Sequence, residues 1–410
     1  MRRIFSILVG VLAVGTAVGL ALLWPGDVKS DFAETLLVDT ERAEVTKIED
    51  FLCPGFQRQS CQRVTIELET GPDTGQTSEL IQGLAGAEPE LSVGDKLRVS
   101  PTAQAPFIQP PGAEGGEFPD EAPPDPGGGV PGAEGGPFVQ DYALNDFERR
   151  RPMLLLVLIF AALVVLFGRL RGALSLVGLA VSLGVVVMFV VPAILDGSEP
   201  LVVAVVGSMA VMLATILLAH GTGAKSLAAI LGTAVSLALT VGLAVLFTDL
   251  TNLTGFATEE AAFLQTTETG ISLEGLLLAG MVIAALGVLD DVTISQSSTV
   301  LALRGANPTM SFRELFGRAI HVGRDHVSAT VNTLVLAYAG ASLPVLLIFS
   351  AGDLSLVDTA NVELVAKEIV ATLVGSIGLV AAMPITTALA ALLAAELPAE
   401  ELADAHVHAH

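Results

Sequence analysis

Apolar residues in this chain come in long blocks. The stretches 4–23, 152–168, 173–195, 201–219, 226–248, 272–289, 327–349 and 365–395 are almost free of charge. A helix rises about 1.5 Å per residue, so some 20 apolar residues cross the roughly 30 Å of bilayer hydrocarbon. Each stretch therefore predicts a transmembrane helix, about eight in all. The helix over 272–289 is expected to run on to about residue 303. Arg2 and Arg3 precede the first stretch, which ends at Trp24-Pro25 without a small-x-small cleavage pattern. Residues 1–24 thus read as an uncleaved anchor, not a removed signal peptide.

Between the first and second stretches the pattern changes. Leu36-Leu37-Val38, Arg63–Glu69 and Lys96–Val99 are short β-favouring pieces separated by Gly, Pro and Asp. Alternation over 63–69 puts Val64, Ile66 and Leu68 on one face. Residues 27–100 are expected to form a small β-barrel or sandwich. Residues 101–140 are dominated by Pro and Gly, with Pro-Gly-Ala-Glu-Gly-Gly at 111–116 and again at 131–136. Such a segment buries too little apolar surface to offset its ordering entropy and reads as a flexible linker.

Composition agrees with a membrane protein. Apolar residues make up 52% and charged residues 15% of the chain, and the mean hydropathy is +0.69, too little charge for a soluble surface. The net charge of −23 is uneven: residues 27–148 hold 24 acids against 7 bases, net −17. That acidity argues against nucleic acid as a partner. Both cysteines, Cys53 and Cys61, fall in this block. If it is exported, a disulfide between them is expected.

Charge also predicts orientation. With the N-terminus in the cytoplasm, the inner loops carry Arg169, Arg171, Lys225, Arg304, Arg313, Arg318 and Arg324. The short outer loops then hold Asp196, Glu199, Asp249, Glu259, Glu260, Glu268, Asp353 and Asp358 and no base, as the positive-inside rule requires. Residues 27–150 are placed outside, apart from Arg149–Arg151 a clean separation. The bundle spans 152–395, and the tail 396–410 returns to the cytoplasm of a bacterial cell membrane.

Two polar stripes interrupt the apolar pattern. In Asp290–Thr299, Asp291, Ser295 and Ser298 share a helical face, with Asp290 beside them. In Arg324–Thr333, Asp325, Ser328 and Asn332 do the same, with Asp325 expected near a helix N-terminus. Acids at a membrane boundary are costly and usually face water or a partner. If the helices pack together, the stripes form one polar pocket able to hold a cation or relay a proton; the bland alternative is helix-end acids in cytoplasmic water. His220, His321 and His326 lie at the same boundary and are weak metal-ligand candidates, without a close-spaced motif. Ser311–Glu314 is a capping box opening an amphipathic helix expected on the cytoplasmic leaflet. Ala228, Gly232, Ser236 and Thr240 recur every four residues, a helix-packing pattern.

Several of these residues resemble the YibE/F family of bacterial membrane proteins. The likeness lies in Tyr142–Arg149, Gly287-Val-Leu-Asp290-Asp291, Gly323-Arg324-Asp325-His326, Asn332–Gly340 and the Val93-Gly94-Asp95-Lys96 turn. It extends over most of residues 30–395; the Pro/Gly repeat and the His-bearing tail depart from it. The resemblance implies a polytopic membrane protein with an exported N-terminal domain, and carries over no substrate.

The fold expected is an all-α polytopic bundle with a small extracytoplasmic β-rich domain. No nucleophile elbow, Walker loop, HExxH or GxGxxG signature is present, so neither an enzyme nor a cofactor is expected. The first functional expectation is a transporter of an ion or small solute using the Asp290/Asp291 and Asp325 stripes. The second is a non-transporting scaffold or sensor whose exported domain binds an envelope protein. A homo-oligomer in the lipid bilayer fits either.

Overall fold

The computed structural model describes residues 1–26, 39–52, 60–82, 89–102, 141–266, 270–352 and 355–397. Cys53, the expected strand at Leu36–Val38, residues 103–140 of the linker and the tail from residue 398 lie outside these. The chain divides into two compact units, Lys29–Phe160 and Met1–Val28 with Ala161–His410.

The first unit is built on one antiparallel sheet. Its strands are β1 (Glu41–Leu52), β2 (Ser60–Leu68), β3 (Thr77–Gln82), β4 (Lys96–Pro101) and β5 (Tyr142–Phe147), in the order β3-β2-β1-β4-β5. A bulge between Val45 and Lys47 bends β1, and β5 approaches β3, so the sheet curls towards a barrel. Val64, Ile66 and Leu68 point inward as their alternation predicts, meeting Ala43, Val45, Leu97 and Val99 in the core. Charge-rich β1 was invisible as a strand because the bulge between Val45 and Lys47 breaks its alternation, setting Ile48 out of step with Ala43 and Val45. Cys61 is buried in β2 and disulfide-bonded.

Polar contacts also join the parts of this sheet. The Lys96 ammonium bonds to Glu44 and Glu69. Those contacts raise Lys96 above the usual lysine range, Glu44 contributing most, and the Lys96 bond holds Glu69 below the usual carboxylate range. The buried Tyr142 hydroxyl donates to Asp73 at 2.8 Å and lies 3.3 Å from Glu41. Burial, reinforced by those acids, pushes the phenol well above the usual tyrosine range.

The second unit is helical. It contains α1 (Arg2–Leu22), the continuation of α2 (Arg150–Val185), α3 (Pro200–His220), α4 (Ala224–Leu250), the short α5 (Glu259–Thr266), α6 (Leu273–Ala306), α7 (Phe312–Ala341), α8 (Leu343–Ala351), α9 (Leu356–Asn361) and α10 (Glu363–Ala394). Among the described residues, six helices are long and apolar enough to cross a membrane, or seven if α7 and α8, bent by 61°, form one span. Two expected spans, 152–168 and 173–195, appear as one 46-residue stretch, Arg150–Leu195. That is about 69 Å by helical rise, over twice the hydrocarbon thickness. Arg169 interrupts it with φ 50° and ψ −131°, a left-handed φ that no helix interior keeps. A π turn over Val186–Val190 leads into its last α-turn, Val191–Leu195.

Helices α4, α6 and α10 form the tight centre. Close approach needs missing side chains: a Cβ on Gly378 would stand 2.0 Å from Thr240 Oγ1, and one on Gly232 would stand 2.2 Å from Thr386 Oγ1. Loops close the two ends. At one, the Thr254 and Gly255 amides donate to Glu363 Oε1 at 2.8 and 2.7 Å, and the Gly26 amide donates to Asp196 at 3.2 Å. Elsewhere the Met1 ammonium sits 2.8 Å from Glu396. The helix expected after the Ser311–Glu314 capping box is the start of α7. Ser311 Oγ accepts from the Glu314 amide at 3.3 Å, and Leu315, Ala319, Gly323 and Val327 are buried.

Candidate functional site

Residues 290–297 of α6 carry their polar side chains to different neighbours. Successive residues on a helix point about 100° apart, so Asp290 and Asp291 do not form a pair. Asp290 turns to α3, where the Thr215 hydroxyl donates to its Oδ2 at 3.1 Å. Its Oδ1 is buried and has no hydrogen-bond partner among the described residues. Asp291 is 76% exposed and faces α7, its Oδ2 3.9 Å from His326 Nε2.

The remaining stripe residues do less than their spacing suggested. Ser295 and Ser298 turn back onto their own helix, donating to Val292 O at 3.0 Å and Ile294 O at 2.8 Å. Asp325, Ser328 and Asn332 are exposed, without a side-chain hydrogen bond or ion pair among the described residues. Asp325 is not near a helix start, because α7 begins at Phe312 and places it in the fourth turn. Among the described residues, the polar contact between these stretches is that of Asp291 with His326, a residue outside the second stripe.

The histidines are not gathered. His220 Nδ1 lies 3.3 Å from Lys225 Nζ, His326 faces Asp291, and His321 is exposed. Among the described residues, no group of three or more His, Cys, Asp or Glu is placed to hold a metal ion.

Beside Asp290 runs a buried polar seam that the sequence reading missed. Thr233 of α4 and Thr293 of α6 have hydroxyls 2.6 Å apart. Thr293 also donates to the Asp290 carbonyl at 3.1 Å, which leaves Thr233 as donor to Thr293. One turn on, Gln296 Nε2 donates to Ala319 O of α7 at 2.9 Å and to Thr387 Oγ1 of α10 at 2.7 Å. These side chains are 0–4% exposed. Asp290, Thr293 and Ser297 share a face at i, i+3 and i+7, as regular a stripe as the one through Asp291. Since nearly every residue from 290 to 299 is polar, hydropathy cannot choose between them.

Two clefts lie near the opposite end of α10. One of about 550 Å³ is lined by residues including Asn252, Asn361 and Glu363. The other, about 380 Å³ and mostly apolar, includes Tyr338, Ser342, Glu368 and Thr372.

A family model described as YibE/F-like protein matches residues 156–396, from inside α2 to just past α10. The chain belongs to the YibE/F-like family. The matched YibE/F-like region contains Asp290, Thr215 and the whole seam, while the five-stranded sheet lies outside it. No curated protein and no solved structure matches the chain. The YibE/F-like assignment and the long apolar helices together make this an integral membrane protein.

Proposed function

We propose that this protein is a multi-pass transporter of an ion or small solute, working through a polar site at Asp290 and Thr215. The observation that carries the reading is the Asp290 carboxylate. It stands within a spanning helix, held by one hydroxyl, with its second oxygen buried and unpartnered among the described residues. A charge there costs several kcal/mol unless paired or hydrated, and such residues usually mark pathways. The reading includes no catalytic step.

In this reading the chain crosses a bacterial cell membrane eight times. The break at Arg169 separates two crossings, and α7 with α8 forms one. Both termini and the Asp290 end face the cytoplasm, and residues 27–150 lie outside. The basic loops support this sense, and so does the contact of Met1 with Glu396 at one end of the bundle. The test is ion and solute flux in vesicles reconstituted with the wild type or Asp290→Asn. Equal fluxes would overturn the proposal.

A second reading is a membrane scaffold or sensor. The observation favouring it is the β-sheet unit, which has a hydrophobic core of its own. Cross-linking in cells that captures the same envelope protein with or without residues 27–100 would exclude it.

A further inference from the structure

We infer that the ion handled at Asp290 is a proton, taken up on Oδ2 while the Thr215 hydroxyl hydrogen turns from Asp290 to the Val211 carbonyl. The inference rests on the transporter reading for its role, but its chemistry stands on local geometry. Thr215 Oγ1 lies 3.1 Å from Asp290 Oδ2, 2.9 Å from Val211 O and 3.2 Å from Met212 O. A threonine hydroxyl has one hydrogen and cannot serve three acceptors.

With Asp290 ionised, that hydrogen goes to Oδ2 and the back-bond to Val211 is given up. Oδ1 then remains a buried, charged oxygen without a donor. With a proton on Oδ2, the direction reverses. The Oδ2–H donates to Thr215 Oγ1, and the Thr215 hydrogen donates to Val211 O. Oδ1 becomes a neutral carbonyl oxygen, far cheaper to leave unpaired. One proton arrives, one hydroxyl rotates, and no bond between heavy atoms changes.

A metal ion fits this place poorly. Calcium takes six to eight oxygens at about 2.3–2.6 Å, whereas Asp290 and Thr215 supply three. On the neighbouring α7, Arg313, Glu314, Arg318, His321, Arg324 and Asp325 are exposed, and Arg304 of α6 is held by the Met310 carbonyl. Asp291, on α6 itself, is turned to His326 of α7. Helix α3 ends at His220, approached by Lys225 of α4, and Arg171 belongs to α2. Helix α1, packed on α3, carries Arg2 and Arg3 in its first turn. The charges of α10, Glu363, Lys367 and Glu368, occupy its first two turns, about 28 Å by helical rise from Thr387 beside Gln296.

The test is the infrared difference spectrum of the full-length protein in lipid, acid minus alkaline. A protonated-carboxyl C=O band is expected that rising pH removes. Asp290→Asn should abolish it, Thr215→Val should shift it by removing its hydrogen-bond partner, and Thr215→Ser should retain it. Should Asp290→Asn fail to fold, the Thr215→Val shift decides. Superimposable wild-type and Asp290→Asn spectra, or a band removed by Asp291→Asn instead, would overturn the inference. A band at Asp290 without any flux would sink the transporter reading and leave proton binding standing. Flux supported by a metal cation, with no such band, would do the reverse.

Discussion

Thr215 and Asp290 are 75 residues apart in sequence, yet their side chains meet at 3.1 Å across α3 and α6. Asp291, the next residue, points to a different helix and is 76% exposed. The two carboxylates therefore have different expected roles, and mutation separates them.

Replacing Asp290 with Asn should reduce flux in reconstituted vesicles by at least about tenfold, the equivalent of some 1.4 kcal/mol. Replacing Asp291 with Asn should cost distinctly less, because that carboxylate is exposed and its one partner among the described residues, His326, is itself exposed. The comparison needs both variants at equal protein-to-lipid ratio. Equal losses would return the site to the Asp291 stripe.

Gln296 clasps three helices, and its chemistry predicts a graded response. Gln296→Leu removes both donated bonds at a cost of about 1–3 kcal/mol, with membrane hydrogen bonds averaging nearer 0.6 kcal/mol each. Gln296→Glu should be worse, since an ionised carboxylate cannot donate to Ala319 O and buries a charge besides. Thermal unfolding in detergent should rank wild type above Leu and Leu above Glu.

Helix approach at Gly378 leaves no space for a methyl group. Gly378→Ala would set Cβ 2.0 Å from Thr240 Oγ1, and Thr240 can yield only by giving up its bond to Ser236 O at 2.8 Å. Overpacking of this kind costs about 1–3 kcal/mol. The double variant Gly378→Ala, Thr240→Ala should recover most of the lost unfolding temperature, because the clashing atom is gone. Full additivity of the two losses would refute the clash.

The Lys96 contacts predict how the β-sheet unit responds to pH. Glu69 is lowered by Lys96, so its contribution is complete above the unfolded carboxylate value of about 4.3 and fades as acid titrates the folded group. Lys96 is raised, so its contribution is complete below about 10.4 and fades as alkali titrates it. Hydrogen exchange of β1 and β4 in wild type and Lys96→Met should therefore differ most between about pH 5 and 10 and converge outside that window. Because these groups are well exposed, the difference should be small and shrink in high salt.

What a contiguous segment fixes by itself was legible in the residues. The apolar stretch from 273 and the alternation over 63–69 each state a local requirement, hydrocarbon length in one and a buried strand face in the other. Helix α6 and the inward Val64, Ile66 and Leu68 meet them. Where the requirement is met by distant residues, sequence is mute. The β1 strand depends on core partners in β2 and β4, whereas the break at Arg169, beside Gly168, was legible as the charged gap between the stretches 152–168 and 173–195. Above all, Asp290 and Asp291 look equivalent in sequence, since each begins a regular polar stripe. Tertiary packing decided between them. The Thr233–Thr293 and Gln296–Thr387 contacts join α6 to α4 and α10, and the rotation of α6 that they hold turns Asp290 to Thr215 and leaves Asp291 exposed.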